Sequence, residues 1–414
     1  MEPLIPRHAV PFGREVLGAF TTVVVQGARQ VGKSTFAELL VEDREARIVT
    51  LDDRQTLEAA AADPTAFVDQ LPTGTLVIDE IQRAPELILP IKASIDRNRR
   101  PGRFILTGSS DLLRLSRTPD SLADRAITLN LRTLSQGEIR RRDDDLLGRL
   151  RAGAAPADFT TSVNRQDYAD LIATGGYPEA RRLSARLRSV WFDSYVDRLL
   201  ERDLGDIAPR IDAARVGSVL RLIAANQAGE LVKSRVARDA NVPETSISAY
   251  LDLLETLYLV GRLRPWTPNL TSREASKPKT YVTDPGLALR LARVTAAQLE
   301  PLTSPHIGAA MEGFVVTELL KQRGWSAEEY ELFHYRDRDG LEVDIIAEFF
   351  DGSVIAIEVK AGSTAKSEHF AALRSLRDRL GERFVGGYVL NTGNRGIPFG
   401  DRLWALPVSA LWSL

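Results

Sequence analysis

Short apolar runs alternate with amphipathic stretches along the first part of the chain. Residues 21–25, 75–78 and 104–107 are runs of β-branched and aliphatic residues bounded by turn residues, which predicts buried strands. Residues 48–51 and 126–131 read as two more strands, and residues 36–40, 57–68 and 86–98 as helices between them. Such alternation predicts an α/β fold, with a parallel sheet covered by helices on both faces. From residue 133 the pattern turns helical: a capped helix start at 133–139, a loop at 152–158, a Gly/Pro break at 175–179 and a helix over 184–203. Trp191, Phe192 and Tyr195 recur on that helix at helical spacing and read as core. Residues 231–241, a turn at Val242-Pro243-Glu244 and residues 245–255 form a helix-turn-helix pattern, followed by strands at 258–263 and 279–283 around a polar loop, as in a winged helix. The last part reads helix (308–322), three strands (332–336, 341–347, 354–360), helix (367–379) and two further strands. The expected division is 1–135, 136–211 (a helical lid), 212–295 (a winged helix) and 300–414.

Composition narrows the classes. A chain of 414 residues with 44% hydrophobic positions is long enough for several cores. Its formal net charge is −2, so any nucleic-acid contact must be a local patch. It has no cysteine, which excludes disulfides, zinc-thiolate sites and thiol nucleophiles, and its 4 histidines are scattered. Residues 1–10 lack the regions of a signal peptide, and charges interrupt every apolar run. A cytoplasmic protein with no membrane partner is therefore expected.

The densest chemistry lies at the end of the first strand. Gly27-Ala28-Arg29-Gln30-Val31-Gly32-Lys33-Ser34 fits G-x-x-x-x-G-K-S, with Thr35 following and a helix beginning. Strand, glycine loop and helix in that order are the context of a phosphate-binding loop. Its amides cradle phosphate oxygens at the positive end of a helix, Lys33 reaches the β- and γ-phosphates, and the Ser34 hydroxyl is a hard ligand for Mg²⁺. Strand 75–78 runs into Asp79-Glu80, the second half of an ATP site: Asp79 would hold Mg²⁺ and Glu80 would polarise the attacking water. ATP and Mg²⁺ are the expected cofactors.

Two further regions offer chemistry. The helix-turn-helix carries Thr245, Ser246 and Ser248 at the start of its second helix, with Lys233, Arg235, Arg238, Arg273, Lys277 and Lys279 as electrostatic footing for DNA. Glu244, Asp252 and Glu255 oppose that use, so a structural arm is the alternative. In the last module, Glu312 shares a helix face with Val315, Val316 and Leu319 and needs a partner. Strand alternation puts Leu341, Val343, Ile345 and Ala347 on one face and Asp344 on the other, and sets Glu358 and Lys360 side by side. D…E-x-K on adjacent strands, in this element order, resembles the core of restriction-endonuclease-like folds. Asp344, Glu358 and, as a further candidate, Glu312 would bind Mg²⁺, with Lys360 beside them. The alternative is a scaffold of the same fold without turnover.

Taken together, the 27–34 loop, Ile-Asp-Glu-Ile-Gln (78–82), Leu-Thr-Gly-Ser-Ser (106–110), Gly-Gly-Tyr-Pro-Glu (175–179) and the Asp344/Glu358/Lys360 pattern resemble prokaryotic AAA-type ATPases ending in a domain of unknown function with an endonuclease-like fold. The resemblance spans nearly the whole chain and implies ATP binding and hydrolysis. It also implies that Thr107 or Ser109 senses the γ-phosphate, unless it is a plain helix cap. Arg125 would be an arginine finger acting across a subunit boundary in a homo-oligomer, or else a surface arginine. Residues 175–179 would pack near the adenine, or form a plain interhelical turn. Catalytic candidates are thus Glu80, Arg125, Asp344, Glu358 and Lys360. Nucleic acid is the expected partner of an ATP-driven machine, and a partner protein that of an ATP-dependent switch or scaffold.

Overall fold

The computed structural model describes residues 4–108, 125–208, 211–267, 277–337 and 340–414. The chain divides into two compact units: Pro6–Thr133 with Thr256–Tyr258, and Leu134–Glu255 with Leu259–Leu414 and the first few residues.

The first unit is built on strands β1 (Thr22–Gln26), β2 (Ala46–Thr50), β3 (Thr75–Asp79), β4 (Phe104–Gly108) and β5 (Ala126–Asn130). They form a sheet in the order β2-β3-β4-β1-β5, with every pair parallel. The expected α/β class with a parallel sheet holds. Strands β1, β3 and β4 are central and buried almost throughout, which is why their sequences are continuous apolar runs rather than alternating ones. Val24, Ile78 and Leu106 share a core with Ile91 and Ile95 of the helix Ile88–Arg97. Gln26 is level with Gly108 and Asn130, and Thr50 with Asp79, so the carboxyl ends of all these strands reach one edge. Open α/β sheets bind their ligands at that edge.

The second unit carries β6 (Gly229–Glu230), β7 (Val260–Pro265), β8 (Lys279–Val282), β9 (Tyr330–Arg336), β10 (Glu342–Phe349), β11 (Val354–Val359), β12 (Phe384–Asn391), β13 (Ile397–Pro398) and β14 (Leu403–Pro407). They make one mixed sheet, ordered β13-β14-β12-β11-β10-β9-β7-β8-β6. Strands β9, β10 and β11 pair antiparallel, and β12 runs parallel to β11 and β14. The helix Ile307–Gln322 puts Phe314 and Leu319 into one core with Ile345 and Ile357. The helix Ala371–Leu380 puts Leu373 and Leu376 into another with Val343 and Ile346. Val343 and Ile345 therefore do not share a face, contrary to strict alternation. A bulge lies between Val343, level with Tyr335, and Ile346, level with Phe333, so Asp344 and Ile345 oppose a single residue. A bulge of this kind re-aims the side chains that it carries.

Helices Ala213–Ala225, Lys233–Asp239 and Ile247–Thr256 precede β7, and β8 pairs antiparallel with both β7 and β6. The polar loop between β7 and β8, with Arg273, lies outside the described residues, as does Ser109. The Gly175-Gly176-Tyr177 break belongs to a buried aromatic group: Tyr177 shares a hydroxyl hydrogen bond of 2.9 Å with Tyr195, and Trp191 stacks on Tyr195. The Gly176 amide donates to Asp284 at 2.8 Å. Among the described residues, no helix is long and apolar enough to cross a membrane.

Candidate functional site

The loop after β1 is shaped by glycines where no other residue fits. Gly27 has φ +151°, and a Cβ there would lie 2.1 Å from the Leu131 carbonyl oxygen. Gly32, at φ +93°, caps the helix Lys33–Val41 in the left-handed region. Ala28 and Val31 are buried beneath the loop, while Gln30 and Ser34 are exposed and Arg29 and Thr35 half-buried. Lys33 is buried, and its ammonium donates to the carbonyls of Gly27 and Ala28 at 3.1 and 3.0 Å. The cation is thus held inside the ring of the loop, at the start of the following helix.

The carboxyl ends of β3 and β4 complete the edge. The Ser34 hydroxyl donates to Asp79 at 2.9 and 3.1 Å. The Thr107 hydroxyl donates to Asp79 and accepts from the Glu80 amide at 3.2 Å. Glu80 sits at φ +58°, a costly conformation for a side-chain-bearing residue, and its carboxylate accepts from the Gln82 side-chain amide. A hydroxyl and a carboxylate in mutual contact beside a glycine loop are the hard oxygen donors that Mg²⁺ takes, so these residues fit Mg²⁺-ATP.

Two residues here escaped the sequence reading. Arg7 is buried, and its guanidinium donates to the carbonyls of Val31 and Arg132 at 2.9 and 2.8 Å, holding the loop from behind. A single arginine ahead of a helix carries no pattern that announces this. Gln82 ends the Ile-Asp-Glu-Ile-Gln stretch (78–82), but its grip on Glu80 depends on the turn geometry. Arg125 is not brought to the loop. It immediately precedes β5, whose first residue is level with Thr22 at the start of β1, so it sits at the opposite edge of the sheet. There its guanidinium pairs with Asp96 at 3.0 Å.

The second unit does bring Glu312, Asp344, Glu358 and Lys360 together, and adds two residues. The Lys279 ammonium lies 2.7 Å from Glu312, 2.8 Å from Glu342 and 3.5 Å from Asp344, with its side chain only 5% exposed. Lys279 was expected among the basic residues available to DNA; instead it is spent inside the protein. It is also the partner that Glu312 needs on its core face. The other Asp344 oxygen accepts from the Val359 amide at 2.9 Å, and Lys360 pairs with Glu358 at 2.5 Å. Burial, then the charge of Asp344, pushes Glu312 up to about 8 and Glu358 up to about 7. Lys279 is desolvated, yet the carboxylates of Glu312 and Asp344 outweigh that and raise it above the ordinary lysine range. Among the described residues no group of 3 or more His, Cys, Asp or Glu is arranged to hold a metal ion. With the Lys279 ammonium standing among the Glu312, Glu342 and Asp344 carboxylates, the cluster does not fit a divalent cation as it stands.

Comparison with known proteins agrees with the first unit. Residues 19–140 match the family described as AAA domain. Residues 165–298 and 307–411 match two families described as domains of unknown function, DUF8612 and DUF4143. The uncharacterized protein Rv2008c of Mycobacterium tuberculosis is 28% identical over 407 residues, which cover 98% of this chain and 84% of that protein. Among solved structures, a Walker-type ATPase of Pyrococcus abyssi shares 16% identity over 70% of this chain and 96% of its own, with a TM-score of 0.43. AMPPCP-bound DnaA of Aquifex aeolicus shares 12% identity over 60% and 86%, with a TM-score of 0.29. The parallel sheet, its glycine loop and the family match over residues 19–140 together support an AAA-type ATPase.

Proposed function

We propose that this chain binds ATP with Mg²⁺ on the loop Gly27–Thr35 and hydrolyses it. The observation that carries the reading is the meeting of Ser34, Asp79 and Thr107 at the sheet edge beside that loop. Bound Mg²⁺ would neutralise phosphate charge, held by Ser34 and Asp79. Lys33 would exchange the carbonyls of Gly27 and Ala28 for phosphate oxygens. Thr107 would keep Asp79 and the Glu80 backbone in register, and Glu80 would orient water once its carboxylate leaves Gln82. From its edge of the sheet, Arg125 would act on the site of a neighbouring copy. Calorimetric titration with Mg²⁺-ATP tests this: uptake is expected in the wild type and lost in Lys33→Ala. No uptake of adenine or guanine nucleotide by the folded wild type in the presence of Mg²⁺ would contradict it.

For the second unit we propose a winged helix over residues 212–295, ahead of an endonuclease-like module that acts on nucleic acid. The strand order β9 to β12 with Asp344, Glu358 and Lys360 gathered supports that reading. A second reading, an ATP-dependent switch whose module binds a partner without cutting, is favoured by the Lys279 ammonium among the carboxylates. Plasmid cleavage lost in Asp344→Ala would select the first. Absence of salt-sensitive DNA binding would select the second.

A further inference from the structure

We infer that Lys279 is the resident cation of the carboxylate cluster in the second unit, so that this module works without a divalent metal ion. The inference deepens the second reading above and is independent of the ATPase reading.

Three carboxylates, from Glu312, Glu342 and Asp344, converge on one point, and that point is Lys279 Nζ. Contacts of 2.7 and 2.8 Å lie in the range of charge-assisted hydrogen bonds. An ammonium has three donors and no acceptor, and the three carboxylates match them in number. Mg²⁺ would need to stand about 2.1 Å from the same oxygens, nearly on top of the nitrogen, and be repelled by its charge. The remaining groups close the site further. The second Asp344 oxygen is taken by the Val359 amide, and Glu358 by a second ammonium, Lys360.

The origin of the cation is as telling as its place. Lys279 comes from β8, whereas Glu342 and Asp344 come from β10 and Glu312 from the helix Ile307–Gln322. In the sheet β8 is separated from β10 by β7 and β9. A salt bridge between elements so far apart in sequence pins the β7–β8 hairpin to the core of the module. That is the structural task a bound ion would otherwise perform. Lys279 and Asp344 are buried, while Glu312 and Glu342 remain partly exposed, so the ammonium itself is withdrawn from the surface.

Manganese uptake by the full, nucleotide-free chain, counted by electron paramagnetic resonance, tests the inference. The wild type is expected to show no Mn²⁺ site that depends on Asp344. In Lys279→Met the carboxylates lose their cation, and Mn²⁺ affinity is expected to rise by about 100-fold or more, as removal of an adjacent like charge implies. The gain should vanish in the double variant with Asp344→Asn. Mn²⁺ should also raise the melting temperature of Lys279→Met and leave that of the wild type unchanged. An Asp344-dependent Mn²⁺ site in the wild type would overturn the inference even if Lys279→Met failed to fold. So would a folded Lys279→Met with no gain. Plasmid cleavage measured on the same wild-type sample reports separately on the second reading, so failure of that reading is distinguishable from failure of the inference.

Discussion

The Ser34 hydroxyl donates to Asp79 at 2.9 Å, joining a helix start to a strand end 45 positions away in the chain. It places two oxygen donors where a nucleotide on the glycine loop would bring its metal. Asp79→Asn keeps the shape but removes the charge, and is expected to lower Mg²⁺-dependent ATP hydrolysis by about 100-fold or more, the scale of losing one electrostatic group at such a site. Phosphate release at saturating nucleotide checks it. An activity within a few-fold of wild type would remove Asp79 from the site.

Thr107 offers a finer test, because it donates to Asp79 and accepts from the Glu80 amide. Thr107→Ala is expected to leave ATP affinity nearly unchanged while kcat falls by about tenfold, since it positions groups rather than phosphates. Thr107→Ser, which retains the hydroxyl, should restore most of the rate.

Arg125 is bound to Asp96, away from its own loop. If it serves a neighbouring copy, Arg125→Ala and Lys33→Ala should each be inactive alone yet partly active when mixed. Mixed sites then pair an intact loop with an intact arginine. Sizing with and without a non-hydrolysable ATP analogue should show assembly. A monomer in both, with Arg125→Ala fully active, would end the idea.

In the second unit, Glu318 and Lys321 form a fully buried pair at 2.6 Å. Glu318 also accepts the Gln136 amide, and Lys321 donates to the Leu134 carbonyl. Glu318→Ala would strand the ammonium in the core and is expected to cost about 3–5 kcal/mol of stability. Urea denaturation followed by circular dichroism measures it, and the double variant Glu318→Gln with Lys321→Gln should lose less.

The raised carboxyls of Glu312 and Glu358, about 8 and about 7 against an ordinary 4.5, give stability a pH dependence of defined sign. The folded chain binds these protons more tightly than the unfolded one. Their contribution is full below the ordinary value and is lost as pH rises through the folded values, between about pH 5 and about pH 8. The urea midpoint should therefore fall across that window, and Glu358→Gln should flatten the fall. A midpoint that rises identically in both proteins would contradict it.

The glycine loop and the first sheet were legible because their signals are local. Buried parallel strands must be continuous apolar runs, and a turn that exposes its amides must carry glycine at Gly27 and Gly32. The position of Asp79 was readable for the same reason: it ends a strand that the pattern already located. The strict alternation read for residues 341–347 failed where one extra residue entered β10. A bulge leaves no mark in hydrophobic periodicity, because the apolar residues on both sides of it are buried, in different cores.

By itself, then, the sequence determined the α/β class, the loop Gly27–Thr35 with Asp79 and Glu80, and the gathering of Asp344, Glu358 and Lys360. Only the tertiary structure decided what stands among those last carboxylates. Lys279 belongs to a strand more than 60 residues away from Asp344, as their separation of 65 shows, and side-chain spacing carries no information across that distance. Period and motif report what neighbours along the chain must do. The charge balance of a buried cluster depends on which distant elements the fold packs together, and is settled when they meet.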